Sequence, residues 1–313
     1  MTAPPEAAQV LAPNLARHPV PCPLCGRPEG FRTLFTPWSP CDDPRQLYGA
    51  ASGLPGTQTL VECPDCSMIF ENPRFPDEAI LAGYLASEEG GHDSQYPMRV
   101  ESFYRALVRL KEHLPPPGAR VLDIGTAGGA FLDAATRYGY DAHGLEPSRD
   151  LTERGKKRGL KIEQGTIADH SLPPGSFDMV CLWDVIEHLT DPKADLERIR
   201  PLLKPDGVFL VNFPDIGTTQ ARLSGKRFWW ILSVHLHHFT RRTMADIMQR
   251  TGYEPFHFRR YWQTLQFGYL EDMAARLNIP LTAFIARHTP RFIREIPMPY
   301  YASQTTALAR VKR

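Results

Sequence analysis

Long apolar runs are missing from this chain. None approaches the roughly 20 residues that a membrane span requires, so no membrane partner is expected. An excess of charge is missing too: 36 Lys and Arg against 35 Asp and Glu leave a net charge of +1. Balanced charge gives no electrostatic footprint for nucleic acid, and residues 20 to 75 have few clustered Lys or Arg. The N-terminus lacks a basic segment followed by an apolar one. No signal peptide is therefore expected, and a cytoplasmic setting is. Internal repeats are absent. Proline is plentiful at 30 residues, but it lies mostly in loops and near the ends. Residues 1–19 read as a disordered, proline-containing lead. A chain of 313 residues has room for one large domain with appendages, or for two domains.

The six cysteines are not scattered. Cys22 and Cys25 form one C-x-x-C pair, and Cys63 and Cys66 form a second after a gap of 37 residues. Without an export signal, such pairs point to metal more than to disulfides. Two knuckles of two thiolates suit a tetrahedral Zn²⁺, and four thiolates make a closed, structural site. The alternative is a set of reduced, unpaired thiols in a core. The apolar content of residues 20–76 is thin for independent folding, so metal would stabilise this module. Cys41 and Cys181 are left over as bystanders.

A helical connector follows over 77–117. It has helical spacing over 77–86 and again from Ser102 to His113, where Phe103, Leu107, Leu110 and Leu114 share a stripe. Pro115-Pro116-Pro117-Gly118 ends it. The pattern then alternates. Strands are expected at Arg120–Ile124, Asp141–Leu145, Lys161–Glu163, Phe177–Trp183 and Gly207–Phe213. Helices are expected at Gly129–Tyr138, Ser148–Arg158 (with Ser148 as N-cap) and Pro192–Leu203. Such a rhythm specifies an α/β fold with a mostly parallel sheet covered on both faces. Beyond it, Gly225–His238 reads as irregular, Thr240 as the cap of a helix to Thr251, and Tyr253–Phe258 as a strand. Residues 263–287 read as mainly helical, and Gln304–Val311 as a last strand pairing antiparallel at the sheet edge.

The strongest signal is Val121–Leu132 followed by Gly144–Ser148. It reads as strand, glycine turn, helix, and a second strand ending on the carboxylate of Glu146. Small residues at Gly125, Thr126, Ala127, Gly128 and Gly129 let a ligand approach the backbone, and Glu146 can accept two hydrogen bonds from a ribose. The spacing is not the G-x-G-x-x-G of dinucleotide sites. That counts against a dinucleotide oxidoreductase, the runner-up enzyme.

These segments resemble the class I S-adenosylmethionine (SAM)-dependent methyltransferases. Asp123-Ile-Gly-Thr-Ala-Gly-Gly129 is similar to their first motif, and Glu146 stands where their ribose-binding acid ends strand two. Ser176–Pro192 looks like their fourth-strand segment, and Leu202–Val208 like the turn before their fifth strand. The likeness covers roughly residues 118 to 258. One departure is Ala127, where the family usually has glycine; altered packing rather than lost binding is expected.

The resemblance implies a Rossmann-like sheet with an antiparallel edge strand, over 118–313, with acceptor-site insertions around 214–240 and 263–300. It also implies a SAM site built from Asp123, the loop Gly125 to Gly129, Phe131, Glu146, Pro147, Thr166, Ile167, Trp183, Asp184 and His188. Zinc-ribbon leaders like residues 20–76 precede a branch of these enzymes that modifies sugars and secondary metabolites. The expected activity is methyl transfer to a small-molecule acceptor by a monomer or homodimer. Whether oxygen, nitrogen or carbon is methylated stays open. An RNA methyltransferase or RNA-binding protein using the zinc module is the first alternative, and a zinc-assembled scaffold with a vestigial cofactor fold the second.

Histidines are the candidate bases. His188 follows the fourth strand, and His235, His237 and His238 cluster in Val234–Thr240. Each could take a proton from an acceptor, or could instead be structural. A zinc site at the H-x-H-H cluster is disfavoured because no nearby acid completes it. Lys226-Arg227-Phe228-Trp229-Trp230 reads either as an acceptor lid or as a packed loop.

Overall fold

The structure, a computed structural model, describes residues 16–49, 53–86, 95–269, 271, 284 and 288–312. Most of the expected disordered lead, and much of the stretch 263–300, lies outside these residues. A small antiparallel sheet comes first, with β1 (Arg32–Phe35), β2 (Leu60–Glu62) and β3 (Ile69–Glu71). Helices α1 (Pro44–Leu47), α2 (Asp77–Leu85) and α3 (Tyr96–Leu110) accompany it and lead away from it.

The main sheet begins at β4 (Arg120–Ile124). It continues through α4 (Ala130–Tyr138), β5 (Asp141–Glu146), α5 (Arg149–Lys157), β6 (Lys161–Gln164), β7 (Phe177–Trp183), α6 (Pro192–Ile199) and β8 (Leu203–Pro214). After α7 (Thr219–Ser224) and β9 (His237–His238) come α8 (Arg241–Arg250), β10 (Tyr253–Gln266) and β11 (Pro297–Val311). The spatial order is β10-β11-β8-β7-β4-β5-β6. The five strands from β8 to β6 are parallel, and β11 runs antiparallel to both β8 and β10. The expected parallel sheet with an antiparallel edge is therefore present.

Local chemistry explains the elements. Parallel strands covered on both faces carry unbroken apolar runs, and six of the seven residues of β7 are buried. Alternate side chains feed two cores. Leu122, Ile124, Val180 and Leu182 join the first, with Leu196 of α6 and Met244 and Ile247 of α8. Val121, Met179, Cys181 and Trp183 join the second, with Phe103 and Leu107 of α3 and Phe131 of α4. Ser148 caps α5 by accepting from the Leu151 amide, as its sequence position predicts. Thr240 and Thr243 cap α8 reciprocally.

Several boundaries differ from the sequence reading. Helix α3 starts at Tyr96, not Ser102, with Pro97 in its first turn. Strand β8 starts at Leu203, ahead of Gly207. Strand β10 runs to Gln266 where a helix was expected from 263, because β11 starts at Pro297 and pairs with it as far as Gln266↔Pro297. Residues 267–269 are helical. Cross-strand pairing outweighed local periodicity there. Gly225–His238 is not wholly irregular, since it contains β9.

The two sheets are joined. β9 pairs antiparallel with β3, Ile69 opposite His238 and Phe70 opposite His237. Leu24, Met68 and Phe70 of the cysteine module share a core with Met244 and Phe239. Upstream, His18 bridges Arg74 through two backbone hydrogen bonds, and Arg17 pairs with the buried Glu71. Among the described residues, no helix is long and apolar enough to cross a membrane.

Candidate functional site

Strand β4 delivers the glycine loop at its carboxyl end. Gly125 sits at φ +70°, and a Cβ there would lie 2.7 Å from Cγ2 of Val185. Its amide and that of Thr126 both donate to the Leu145 carbonyl, which pins the turn to β5. Gly129 caps α4 at φ +87°. Ala127 takes the left-handed region without being glycine, at φ +50°. That is the physical content of the departure noted in the sequence: this position asks for a glycine.

A cavity opens against this loop. Asp123, Gly125, Thr126, Ala127, Gly128 and Phe131 line it on one side, and Trp183 at the end of β7 lines another. Asp123 is 2% exposed, and its Oδ1 has no hydrogen-bond partner. Burial pushes its pKa up to about 8. Glu146 is fully buried. Its Oε2 accepts from the Ala127 amide at 2.8 Å, and its Oε1 from the Ser148 amide at 2.9 Å and the Tyr84 hydroxyl at 3.2 Å. Burial raises its pKa, against the pull of the two amides.

Tyr96, Arg99 and Phe103 of α3, with Leu151 and Arg154 of α5, also line the cavity. Sequence reasoning missed all five. Arg99 and Tyr96 lie before the expected helix start. Pro97, which favours a first helical turn, was the available signal. Of the expected cofactor residues, Gly129, Glu146, Pro147, Thr166, Ile167, Asp184 and His188 do not line the cavity. Ile167 is 8% exposed and belongs to the first core, while Thr166 closes a turn with Asp169.

Beyond Trp183 the chain turns sharply. Asp184 stands at φ +56°, and its Oδ1 accepts from Asn212 at 2.6 Å and Gln304 at 2.7 Å. Burial raises its pKa to about 6. His188 donates from Nδ1 to the Val234 carbonyl at 2.8 Å, and His235 from Nδ1 to the Trp230 carbonyl at 2.7 Å. Their rings are 4.8 Å apart. His237 donates from Nε2 to the Leu189 carbonyl. Burial drives all four pKa values down, to about 4 for His188 and His238, to about 3 for His237, and well below normal for His235. Burial thus favours the neutral form of all four imidazoles.

The four histidines stay close, with the His235 ring 6.4 Å from that of His238, but they differ in their contacts. His237 and His238 form β9 and lie against the cysteine module. His188 and His235 face each other, and Glu187 joins them: one ligand atom from each of the three lies within 4.8 Å of the others. The expectation that no acid approaches this cluster is overturned. Glu187 precedes His188 in sequence, and the fold carries it to His235. In the Lys226–Trp230 segment the aromatic residues are packed, while Lys226 and Arg227 are exposed. Phe228 is 2% exposed, and the Trp229 and Trp230 indoles both donate to the Ala302 carbonyl.

The four cysteines converge at the other end. Sγ of Cys22 is 3.5 Å from that of Cys66, Sγ of Cys25 is 3.6 Å from that of Cys63, and all four lie within 4.8 Å. A tetrahedral zinc with bonds near 2.3 Å needs sulfurs roughly 3.8 Å apart, so the set fits that ion. Each pair forms the same turn. The Gly26 amide donates to Cys22 and the Ser67 amide to Cys63, with Gly26 and Ser67 both left-handed.

A family profile described as a methyltransferase domain matches residues 95–257, more than half of the chain. A ubiquinone biosynthesis O-methyltransferase of Xylella fastidiosa is 29% identical over 153 residues, 46% of this chain and 61% of that protein. The protein of the same name from Rhodopseudomonas palustris is 35% identical over 99 residues, 30% of this chain and 39% of that protein. The chain therefore spans less than two thirds of these relatives. A crystal structure of a SAM-dependent methyltransferase from Thermotoga maritima shares 22% identity, with a TM-score of 0.47 over 71% of this chain and 93% of that one.

Proposed function

Because this chain belongs to the class I SAM-dependent methyltransferases, we propose that it transfers a methyl group from SAM to a hydroxyl of a small molecule. The observation that carries this reading is the cavity at the glycine loop, closed by the buried, unpartnered Oδ1 of Asp123. An orphaned carboxyl oxygen beside open space fits a ligand that brings N–H donors and positive charge. SAM, when bound, supplies a methyl group on a sulfonium.

The chain's own residues divide the remaining work. The loop from Gly125 to Gly129 offers backbone at close range. Glu146 keeps lone pairs beyond those given to Ala127 and Ser148, and ribose hydroxyls would take the place of Tyr84 on it. Trp183 and Phe103 wall the cavity and exclude water. Most of the rate enhancement in such a reaction comes from aligning nucleophile and methyl, so rigid walls matter more than any single proton transfer.

The acceptor side is assigned to Asp184, His188 and His235, which follow Trp183 past the strand end. A hydroxyl acceptor, whether a phenol or a sugar, is favoured over nitrogen or carbon by the O-methyltransferase names of the relatives. Cys22, Cys25, Cys63 and Cys66 are proposed to hold a structural Zn²⁺ in a cytoplasmic enzyme, on the strength of their converging thiols. Calorimetric titration of zinc-loaded protein with SAM and S-adenosylhomocysteine tests the reading. Saturable binding that weakens in Asp123→Asn is expected. Indifference to both ligands at millimolar concentration would overturn it.

A further inference from the structure

We propose that Glu187, His188 and His235 form a second metal site, distinct from the four cysteines and suited to a divalent ion of borderline hardness, zinc first. Three independent features point there. Glu187 is 1% exposed, and neither of its carboxylate oxygens has a hydrogen-bond partner. No Lys or Arg pairs with it among the described residues, so an ionised Glu187 would be a buried charge without compensation unless a bound cation neutralised it.

The two imidazoles are oriented as ligands. Each fixes its N–H at Nδ1 on a backbone carbonyl, Val234 for His188 and Trp230 for His235. That leaves the Nε2 lone pairs without a hydrogen bond among the described residues. Donation of the far nitrogen to a carbonyl is the usual support of a metal-bound histidine.

The scaffold is fixed on both sides. The Glu187 carbonyl accepts from the amides of Leu236 and His237, and Gln58 of the cysteine module donates to the His235 carbonyl. The three ligand atoms lie within 4.8 Å of one another, against the separation of about 3.4 Å that tetrahedral bonds near 2.1 Å require. Three protein ligands leave a coordination position open, unlike the closed four-thiolate set, and an ion with an open position can polarise a ligand oxygen. The link to an acceptor oxygen rests on the methyl-transfer reading; the metal site does not.

The test strips the full chain of metal and titrates it with cobalt(II), reading thiolate charge-transfer bands for the cysteine set and weaker ligand-field bands for nitrogen and oxygen ligands. The wild type is expected to take up a second equivalent after the thiolate bands saturate. Glu187→Gln and His235→Ala should keep the thiolate bands, which report a folded module, and weaken the second equivalent by at least about tenfold. Saturation of the wild type at one equivalent, or retention of the second by both variants, overturns the proposal. Loss of SAM and S-adenosylhomocysteine binding with the second equivalent intact would remove the methyl-transfer reading and leave the site standing.

Discussion

Reciprocal substitutions in the glycine loop separate backbone strain from ligand binding. Gly125→Ala puts a methyl group 2.7 Å from Cγ2 and 3.3 Å from Cγ1 of Val185. Val185 is β-branched and stiff at χ1, so it cannot swing clear. The left-handed φ of +70° costs an L-residue about 1–2 kcal/mol. Overpacking adds about 1–3 kcal/mol, so the total loss is about 2–5 kcal/mol. Ala127→Gly works in the opposite direction. It removes about 1–2 kcal/mol of left-handed strain and loses about 0.5–1 kcal/mol to the freer unfolded chain, leaving a net gain of about 0–1.5 kcal/mol. Urea midpoints at fixed zinc measure the stability term, and calorimetric titration with S-adenosylhomocysteine measures binding. Gly125→Ala should lose both stability and ligand; Ala127→Gly should lose neither. A Gly125→Ala change within about 0.5 kcal/mol of wild type, or an Ala127→Gly loss above about 1 kcal/mol, would refute the assignment of strain to this turn.

Other outcomes follow from the same geometry. Glu146→Gln removes the charge that accepts from Ala127 and Ser148, and S-adenosylhomocysteine affinity should fall about 10- to 100-fold; an unchanged Kd would remove Glu146 from the site. Asp123, at about 8 in the native protein against an ordinary 3.8, binds a proton that the unfolded chain has released. Its contribution to stability therefore falls as pH climbs between those values and is flat above them. A cationic ligand favours its ionised form, so SAM binding at pH 7 should release protons. Calorimetry in two buffers of different ionisation enthalpy reads this directly, and identical heats would count against it. Chelating the cysteine metal should speed amide exchange in 69–71 and in 237–238 together, because these segments pair. Exchange unaltered by chelation would show that the pairing stands without metal.

The parallel sheet was legible because each strand and helix carried its own period, and because Gly125, Gly129 and Glu146 mark backbone positions that only certain residues satisfy. The cysteine set was legible from spacing alone, since two knuckles need only local chain to form. The wall from α3 was not. Arg99 and Tyr96 reach the cavity through a tertiary packing angle, with Phe103 edge-to-face 5.6 Å from Phe131 and 5.0 Å from Trp183, and no local pattern encodes that. The histidines mislead for the same reason. Four of them look alike in sequence, but burial, carbonyl partners and the arrival of Glu187 sort them into a facing pair and a strand.

That sorting gives the cysteine module a second consequence. Segment 230–239 carries His235, and the module holds it at several points. Gln58 donates to the Ser233 and His235 carbonyls, the Ser233 hydroxyl reaches the Leu47 carbonyl, the Glu71 amide donates to Leu236, and β3 pairs β9. On the far side the same segment binds Glu187 and His188 at the end of β7. A metal locking the cysteine knuckles would therefore fix the height of His235 relative to the main sheet. The cavity at the glycine loop takes its walls from α3, α4, α5 and β7, which the module does not hold in this way. Loss of the cysteine metal should thus disturb the acceptor side more than cofactor binding, so that KM for the acceptor rises while S-adenosylhomocysteine affinity is retained. Equal loss of both would mean that the module supports the whole sheet rather than the segment it grips.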